Sequence, residues 1–186
     1  MTSPILRRPA MDARYSGVAI AFHWGIALLV LINLFIGFGH ELLPALRAWM
    51  PAHKSIGISV LVLTVARLAW RIGHRPPPLP AARPAWEKGA AHATHWALYA
   101  LLLLIPLSGW MMVSGPDGRR PLDWFGAFPI PYLPVSKAGA GLGGSAHGLL
   151  GWAMLALVVI HVAAALRHHF LLRDGLLARM LPTRAR

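Results

Sequence analysis

Residues 146–166 read AHGLLGWAMLALVVIHVAAAL, an apolar run without a charged residue that is long enough to form a transmembrane helix. His147 and His161 lie fourteen residues apart within it. In a helix this spacing is almost four turns, so both imidazoles project from nearly the same face, about 21 Å apart along the axis. Each histidine would then lie near one side of the bilayer, where an imidazole needs a partner.

Three more apolar stretches accompany this one. The chain has 186 residues and is 56% hydrophobic but only 13% charged, too few charges for the surface of a water-soluble domain. The charges cluster, and the stretches between them predict helices at residues 15–39, 52–72, 91–114 and 145–170. We therefore expect an all-α fold, in which residues 1–186 form a single integral membrane domain built as a four-helix bundle.

The basic residues predict the orientation of this bundle. Most of them lie in an N-terminal arm, in the connection between helices 2 and 3, and in the C-terminal tail: Arg7, Arg8, Arg14, Arg71, Arg75, Arg83, Lys88, Arg167, Arg173, Arg179, Arg184 and Arg186. Four alternating spans put these segments on one side, and the positive-inside rule makes that side the cytoplasm, with both termini in it. The net charge of +12 is thus explained by topology and contact with membrane lipid, and no nucleic-acid partner is expected.

The histidines pair by predicted membrane depth. Helix 1 enters from the cytoplasm and helix 4 leaves there, which puts His23 and His161 at a similar depth. Helices 2 and 4 both begin on the periplasmic side, which matches His53 with His147. Two histidines on facing helices are a natural way to hold haem b, so these four residues predict two bis-histidine iron sites. The chain has no cysteine, which excludes iron–sulfur clusters and thioether-linked c-type haem.

Two further residues are candidates for cofactor binding. Arg67 follows His53 by fourteen residues, so its guanidinium could bind a propionate of the haem between His23 and His161, or reach a lipid phosphate instead. His95, near the start of helix 3, could hydrogen-bond a propionate, a quinone carbonyl or a structural water.

The connection between helices 3 and 4 is long. It covers Gly115–Ser145 and is rich in glycine, proline and aromatic residues. Loops of this length are often either functional or disordered, and here the aromatic residues favour a structured cap at the membrane interface.

Short motifs follow one another in a characteristic order along the chain: Tyr15-Ser16, Phe22-His23-Trp24, His53-Lys-Ser-Ile-Gly57, Ala66-Arg67-Leu68, His92-Ala-Thr-His95, His147-Gly-Leu-Leu-Gly151 and His161-Val-Ala-Ala-Ala-Leu-Arg-His-His169. Over residues 13–182 their order and spacing closely resemble the bacterial cytochrome b561 family. The resemblance implies a multi-pass di-haem b protein of the bacterial inner (plasma) membrane, with axial ligands at the four paired histidines. It also implies electron exchange with ubiquinone. One branch of the family is similar to superoxide oxidases, which pass electrons from periplasmic superoxide to the quinone pool.

Three functions follow from these patterns. The leading hypothesis is a transmembrane electron-transfer cytochrome b, an oxidoreductase that takes electrons from a small donor such as superoxide and delivers them to ubiquinone. The second is a cytochrome b subunit that relays electrons for a dehydrogenase or hydrogenase. The third is a metal or proton transporter with a pathway of histidines, which would contain no haem.

Overall fold

Four long helices dominate the computed structural model, which describes residues 14–78, 84–117 and 119–182. They are α1 (Gly17–Leu42), α2 (Met50–Gly73), α3 (Ala85–Val113) and α4 (Lys137–Arg167). Each is long and apolar enough to cross a membrane. The predicted all-α four-helix membrane fold is therefore confirmed.

Shorter elements connect these helices. A 3₁₀ turn, Pro44–Trp49, joins α1 to α2. Between α3 and α4, the two short strands β1 (Asp123–Trp124) and β2 (Phe128–Pro129) pair antiparallel in a hairpin. A π-helical turn, His168–Leu172, and a 3₁₀ turn, Leu177–Met180, follow α4.

Two helices begin earlier than the sequence predicts. α3 begins at Ala85 rather than at residue 91, and α4 begins at Lys137 rather than at residue 145. The hydroxyl of Ser136 caps α4 by accepting a hydrogen bond from the Gly139 backbone N–H at 3.1 Å. The glycine-rich residues 138–144 are thus helical, and the prediction that the connection extends to Ser145 was wrong in its last part.

Close packing on α3 explains why a glycine-rich segment forms a helix here. A Cβ placed on Gly143 would lie 2.9 Å from both the Met111 Cβ and the Ser108 carbonyl oxygen. A Cβ on Gly115 would lie 2.7 Å from the Cβ of Ala140. Small residues at these positions let the two helix backbones approach closely, as in other membrane helix pairs.

The core of the bundle is narrow and its outer surface is apolar. Buried side chains such as Ile26, Val60 and Met154 form the centre. Large apolar side chains such as Phe35 and Leu149 point outward and are exposed. A surface of this kind suits contact with lipid rather than with water.

The two ends of the described chain meet at one end of the bundle. The Tyr15 backbone N–H donates to the Arg179 carbonyl at 3.3 Å, and the Trp24 indole donates to the Met180 carbonyl at 2.7 Å. This arrangement agrees with an even number of spans, while the cytoplasmic location of this end stays a prediction. Some of the basic residues used for that prediction lie outside the described residues: Arg7, Arg8, Arg83, Arg184 and Arg186.

Candidate functional site

Two histidines rest against the bare backbone of glycines on neighbouring helices. A Cβ placed on Gly37 of α1 would lie 3.0 Å from Cε1 of His53 on α2. A Cβ placed on Gly109 of α3 would lie 3.0 Å from both Cε1 and Nδ1 of His147 on α4. Any larger residue at either glycine would occupy the space that the imidazole uses.

Both of these histidines bond to a backbone carbonyl through the same ring nitrogen. Nδ1 of His53 lies 3.2 Å from the Asn33 carbonyl oxygen, and Nδ1 of His147 lies 2.9 Å from that of Ile105. In each helix the carbonyl is four residues before the glycine. A carbonyl only accepts hydrogen bonds, so Nδ1 must carry the proton, and Nε2 keeps a lone pair that can bind a metal.

The two imidazoles lie at a separation that fits one metal ion between them. The ring centroids of His53 and His147 are 6.0 Å apart, with an angle of 80° between the planes. A metal–imidazole bond is about 2 Å long and the ring nitrogen lies about 1 Å from the ring centre, so two rings on opposite sides of one metal have centroids about 6 Å apart. The observed separation matches this value.

Each of the four helices contributes one residue to each of two sets, and in every helix these two residues are fourteen positions apart. The first set, which we call the glycine layer, contains Gly37, His53, Gly109 and His147. The second set, which we call the arginine layer, contains His23, Arg67, His95 and His161. Since fourteen residues span about 21 Å of helix, the two layers are separated by most of the thickness of a membrane.

The predicted histidine pair also meets in the arginine layer. The ring centroids of His23 and His161 are 6.4 Å apart with an interplanar angle of 63°, again close to the separation that bis-histidine ligation needs. His95 also lies close to His161, with the two ring centroids 5.7 Å apart. The ligand pair is half-buried, whereas His95 is exposed. The structure thus brings all four predicted ligands together in two pairs.

Arg67 adds a positive charge beside the second pair. Its charge acts on both His23 and His161. Its guanidinium carbon lies 5.3 Å from the centre of the buried Tyr99 ring, and that of Arg71 lies 5.7 Å from it. Within the described ranges, the ion pairs involve neither arginine. A ligand that brings its own carboxylates would therefore complement this layer.

These observations fit haem b. Each layer provides a pair of imidazoles at a separation suited to one iron, the glycines of the glycine layer leave room for the two rings, and the arginine layer offers a guanidinium suited to a propionate. Among the residues that the structure describes, no group of three or more histidine, cysteine, aspartate or glutamate side chains is arranged to hold a metal ion. A pair of histidines would suit an iron whose remaining ligands come from a porphyrin.

Sequence reasoning missed the glycines and the carbonyls that position the histidines. A signal for the glycines was present, because Gly37 follows His23 by fourteen residues and Gly109 follows His95 by fourteen. The carbonyls of Asn33 and Ile105 carry no sequence signal, since every residue has one.

Comparisons with known proteins agree over almost the whole chain. A family model described as prokaryotic cytochrome b561 matches residues 14–183. The chain is 38% identical over 174 residues to "Cytochrome b561 homolog 2" of Escherichia coli K12, covering 90% of this chain and 91% of that protein. It is 30% identical over 180 residues to "Probable superoxide oxidase CybB" of Yersinia pestis, covering 92% and 98%. It is 31% identical over 184 residues to "Cytochrome b562" of Cereibacter sphaeroides, covering 91% and 96%.

Proposed function

The chain belongs to the prokaryotic cytochrome b561 family, and from this premise we propose that it passes electrons from periplasmic superoxide to ubiquinone through two haem b groups. As a member of this family it is a multi-pass bacterial membrane protein, a haem b cytochrome with a role in transmembrane electron transfer. The number of haems, the donor, the acceptor and the residue roles below belong to the proposal.

The observation that carries the proposal is the pairing of histidines in two layers. His53 and His147 would bind one haem, and His23 and His161 the other. Arg67 would bind a propionate at the second haem, with His95 as a further hydrogen-bond partner of the cofactor or quinone. Haem, when bound, supplies one-electron redox chemistry. With two histidines holding each haem, donor and acceptor would exchange electrons with the cofactor without binding to its iron.

The donor side is proposed from a relative and from local charge. One relative carries the name superoxide oxidase. In this chain Lys54 follows His53 directly and lies near Arg120, with Asp123 also close by. Arg119 adds another cation at this end of the bundle, stacked 5.0 Å from the Tyr132 ring centre. Cations beside the glycine layer would attract a small anion such as superoxide.

The proposed reaction balances in electrons and protons. Each of two superoxide ions loses one electron and leaves as O₂. One ubiquinone takes up the two electrons with two protons and becomes ubiquinol. With both termini in the cytoplasm, as the basic residues predict, the glycine layer lies on the periplasmic side, where superoxide would donate.

Haem content tests the cofactor part of the proposal. The purified protein should show a reduced b-type α band and two haems per chain. His53→Ala and His161→Ala should each remove one haem, because each breaks one pair. His169→Ala is the matched control, since this exposed histidine follows α4 and contacts Phe170 rather than either layer. A protein without the α band, or one that keeps two haems in both ligand variants, would contradict the assignment.

Rapid mixing tests the donor and the acceptor. Superoxide should reduce the haem within the time that a rapid-mixing experiment records, and a ubiquinone analogue added next should reoxidise it. Neutralising Lys54 with Lys54→Gln should slow reduction and weaken its dependence on salt, because fewer positive charges attract the anion. Failure of superoxide to reduce a protein with full haem content would remove the superoxide assignment.

A further inference from the structure

We propose that residues 121–135 form a re-entrant segment embedded in the lipid leaflet at the glycine-layer end of the bundle, with lipid acyl chains covering an aromatic cluster. The cluster consists of Trp124, Phe125 and Phe128, all of which are exposed. The inference depends only on the membrane-spanning fold and is independent of the donor, the acceptor and the number of haems.

Hydrogen bonds fix the depth of the segment. The Trp124 indole donates to the Ser59 hydroxyl at 3.0 Å. Ser59 lies nine residues into α2, about 13 Å along the helix from its first residue, and is past His53 of the glycine layer. On the other side, the Trp110 indole donates to the Pro131 carbonyl at 2.8 Å, and Trp110 is next to Gly109. The segment therefore extends beside the helices to the depth of the glycine layer.

Buried serines attach the segment to α2 and α3. The hydroxyl of Ser55, only 1% exposed, accepts a hydrogen bond from the Phe125 backbone N–H at 3.0 Å and also bonds to the Asp123 carbonyl. The hydroxyl of Ser114 accepts one from the Leu133 N–H at 3.0 Å. The segment is thus bound between two helices rather than projecting from them.

The backbone of the segment needs little water. Four of its residues are prolines, which have no N–H to satisfy: Pro121, Pro129, Pro131 and Pro134. Other N–H groups donate within the protein: Phe125 to Ser55, Gly126 to the Asp123 carboxylate, Ala127 to Trp124, Ile130 to Leu122, Leu133 to Ser114 and Val135 to Leu133. Irregular backbone is tolerated at membrane depth only when its polar groups are satisfied by protein or by a water-filled cavity.

The few charges and the exposed aromatic side chains of the segment also suit a position in the membrane. Asp123 is the only charged residue between positions 121 and 136, and its carboxylate caps the hairpin turn at Gly126 at 2.6 Å. The turn also holds Phe125 at φ 49°, a conformation that a bulky residue rarely adopts. Trp124 stacks on Phe128 with ring centroids 5.5 Å apart, although neither ring is buried by protein. Acyl chains can cover the apolar rings of Phe125 and Phe128, while Trp124 is of an amphipathic type that is enriched at the membrane–water interface.

Spin-label accessibility tests this placement, and the absence of native cysteine makes single-cysteine variants simple to label. Phe128→Cys and Phe125→Cys would each be labelled in the full-length protein in nanodiscs of phosphatidylethanolamine and phosphatidylglycerol. Relaxation by O₂ reports lipid, and relaxation by a water-soluble nickel chelate reports water. Asp117→Cys, at an exposed charged residue, is the aqueous control, and Leu31→Cys, on the exposed face of α1, is the lipid control.

We expect both cluster labels to resemble the Leu31 position, with an O₂-to-nickel ratio several-fold above that at Asp117. Nickel accessibility equal to that at Asp117 would overturn the proposal and make the cluster a water-exposed surface. Inaccessibility to both reagents would also overturn it, because the cluster would then be covered by protein, such as a second copy of the chain. Either variant suffices if the other does not fold.

Discussion

Enlarging Gly109 should selectively disturb the haem site that we propose in the glycine layer. His147 rests directly on this glycine, and its ring is also hydrogen-bonded to the Ile105 carbonyl of the same helix. We therefore expect Gly109→Val to displace the imidazole of His147 while leaving His161, fourteen residues away, in place. Gly148→Val is the matched control, because a Cβ on Gly148, next to His147 in the chain, would meet nothing within 4 Å.

The size of the effect follows from the contact distances. A Cβ on Gly109 would lie 3.0 Å from two ring atoms, whereas unstrained carbon contacts are about 3.5–4.0 Å long. The ring must then move by roughly 0.5 Å or more, which lengthens its 2.9 Å hydrogen bond to Ile105. Overpacking of this kind costs about 1–3 kcal/mol. If the cost falls on the bound state, the affinity of this layer for haem drops roughly 5- to 140-fold.

Haem content and spectra provide the assay. The haem-to-protein ratio of Gly109→Val should fall from two towards one when the variant is purified with limiting haem. The low-spin signal that remains in electron paramagnetic resonance should be that of the His23 and His161 pair. Gly109→Ala should show a smaller change in the same direction. Equal haem content in the Gly109→Val and Gly148→Val proteins, or loss of the other haem instead, would refute the reasoning.

Two other changes test the arginine layer and the helix packing. Arg67→Gln should lower the midpoint potential of one haem, because a nearby cation stabilises the reduced, less positive iron. Arg67→Lys keeps the charge and should lower the potential less. An unchanged midpoint potential in a spectroelectrochemical titration would contradict this. Gly143→Val should destabilise the protein by about 1–3 kcal/mol relative to Gly141→Val, as measured by thermal unfolding. Gly143 contacts α3, whereas a Cβ on Gly141 would meet nothing within 4 Å. Equal melting temperatures of the two variants would contradict this.

The transmembrane helices and the histidine pairs could be predicted because they depend on simple one-dimensional properties. Length and apolarity are enough to identify a span such as α4. The depth of a histidine in the membrane then follows from counting residues from the helix ends. This count pairs His53 with His147, as the structure does, although α4 begins earlier than expected. The wrong start of α4 did not change the predicted pairs, because His147 and His161 stay fourteen residues apart wherever the helix begins.

The start of α4 could not be predicted from local sequence. Glycine destabilises an isolated helix by about 1 kcal/mol relative to alanine, so a run such as residues 138–144 resembles a loop. In the folded chain Gly143 lies against Met111 and Ser108 of α3, and this contact compensates for the poor helix propensity. Such compensation depends on a partner helix that is distant in sequence, and therefore only the three-dimensional structure reveals it.

The two layers differ in a way that favours one direction of electron flow. In the glycine layer, carbonyls accept hydrogen bonds from Nδ1 of His53 and His147, which makes the imidazoles more basic ligands and favours oxidised iron. In the arginine layer the cationic side chain of Arg67 lies close to His23 and His161 and favours reduced iron. If each layer holds a haem, Arg67 and the carbonyls together give the arginine layer the higher reduction potential, because Lys54 beside the glycine layer lies nearer to solvent and is more strongly screened than Arg67. Electrons that enter at the glycine layer would then move downhill across the membrane, which is the direction that the proposed transfer from superoxide to ubiquinone requires.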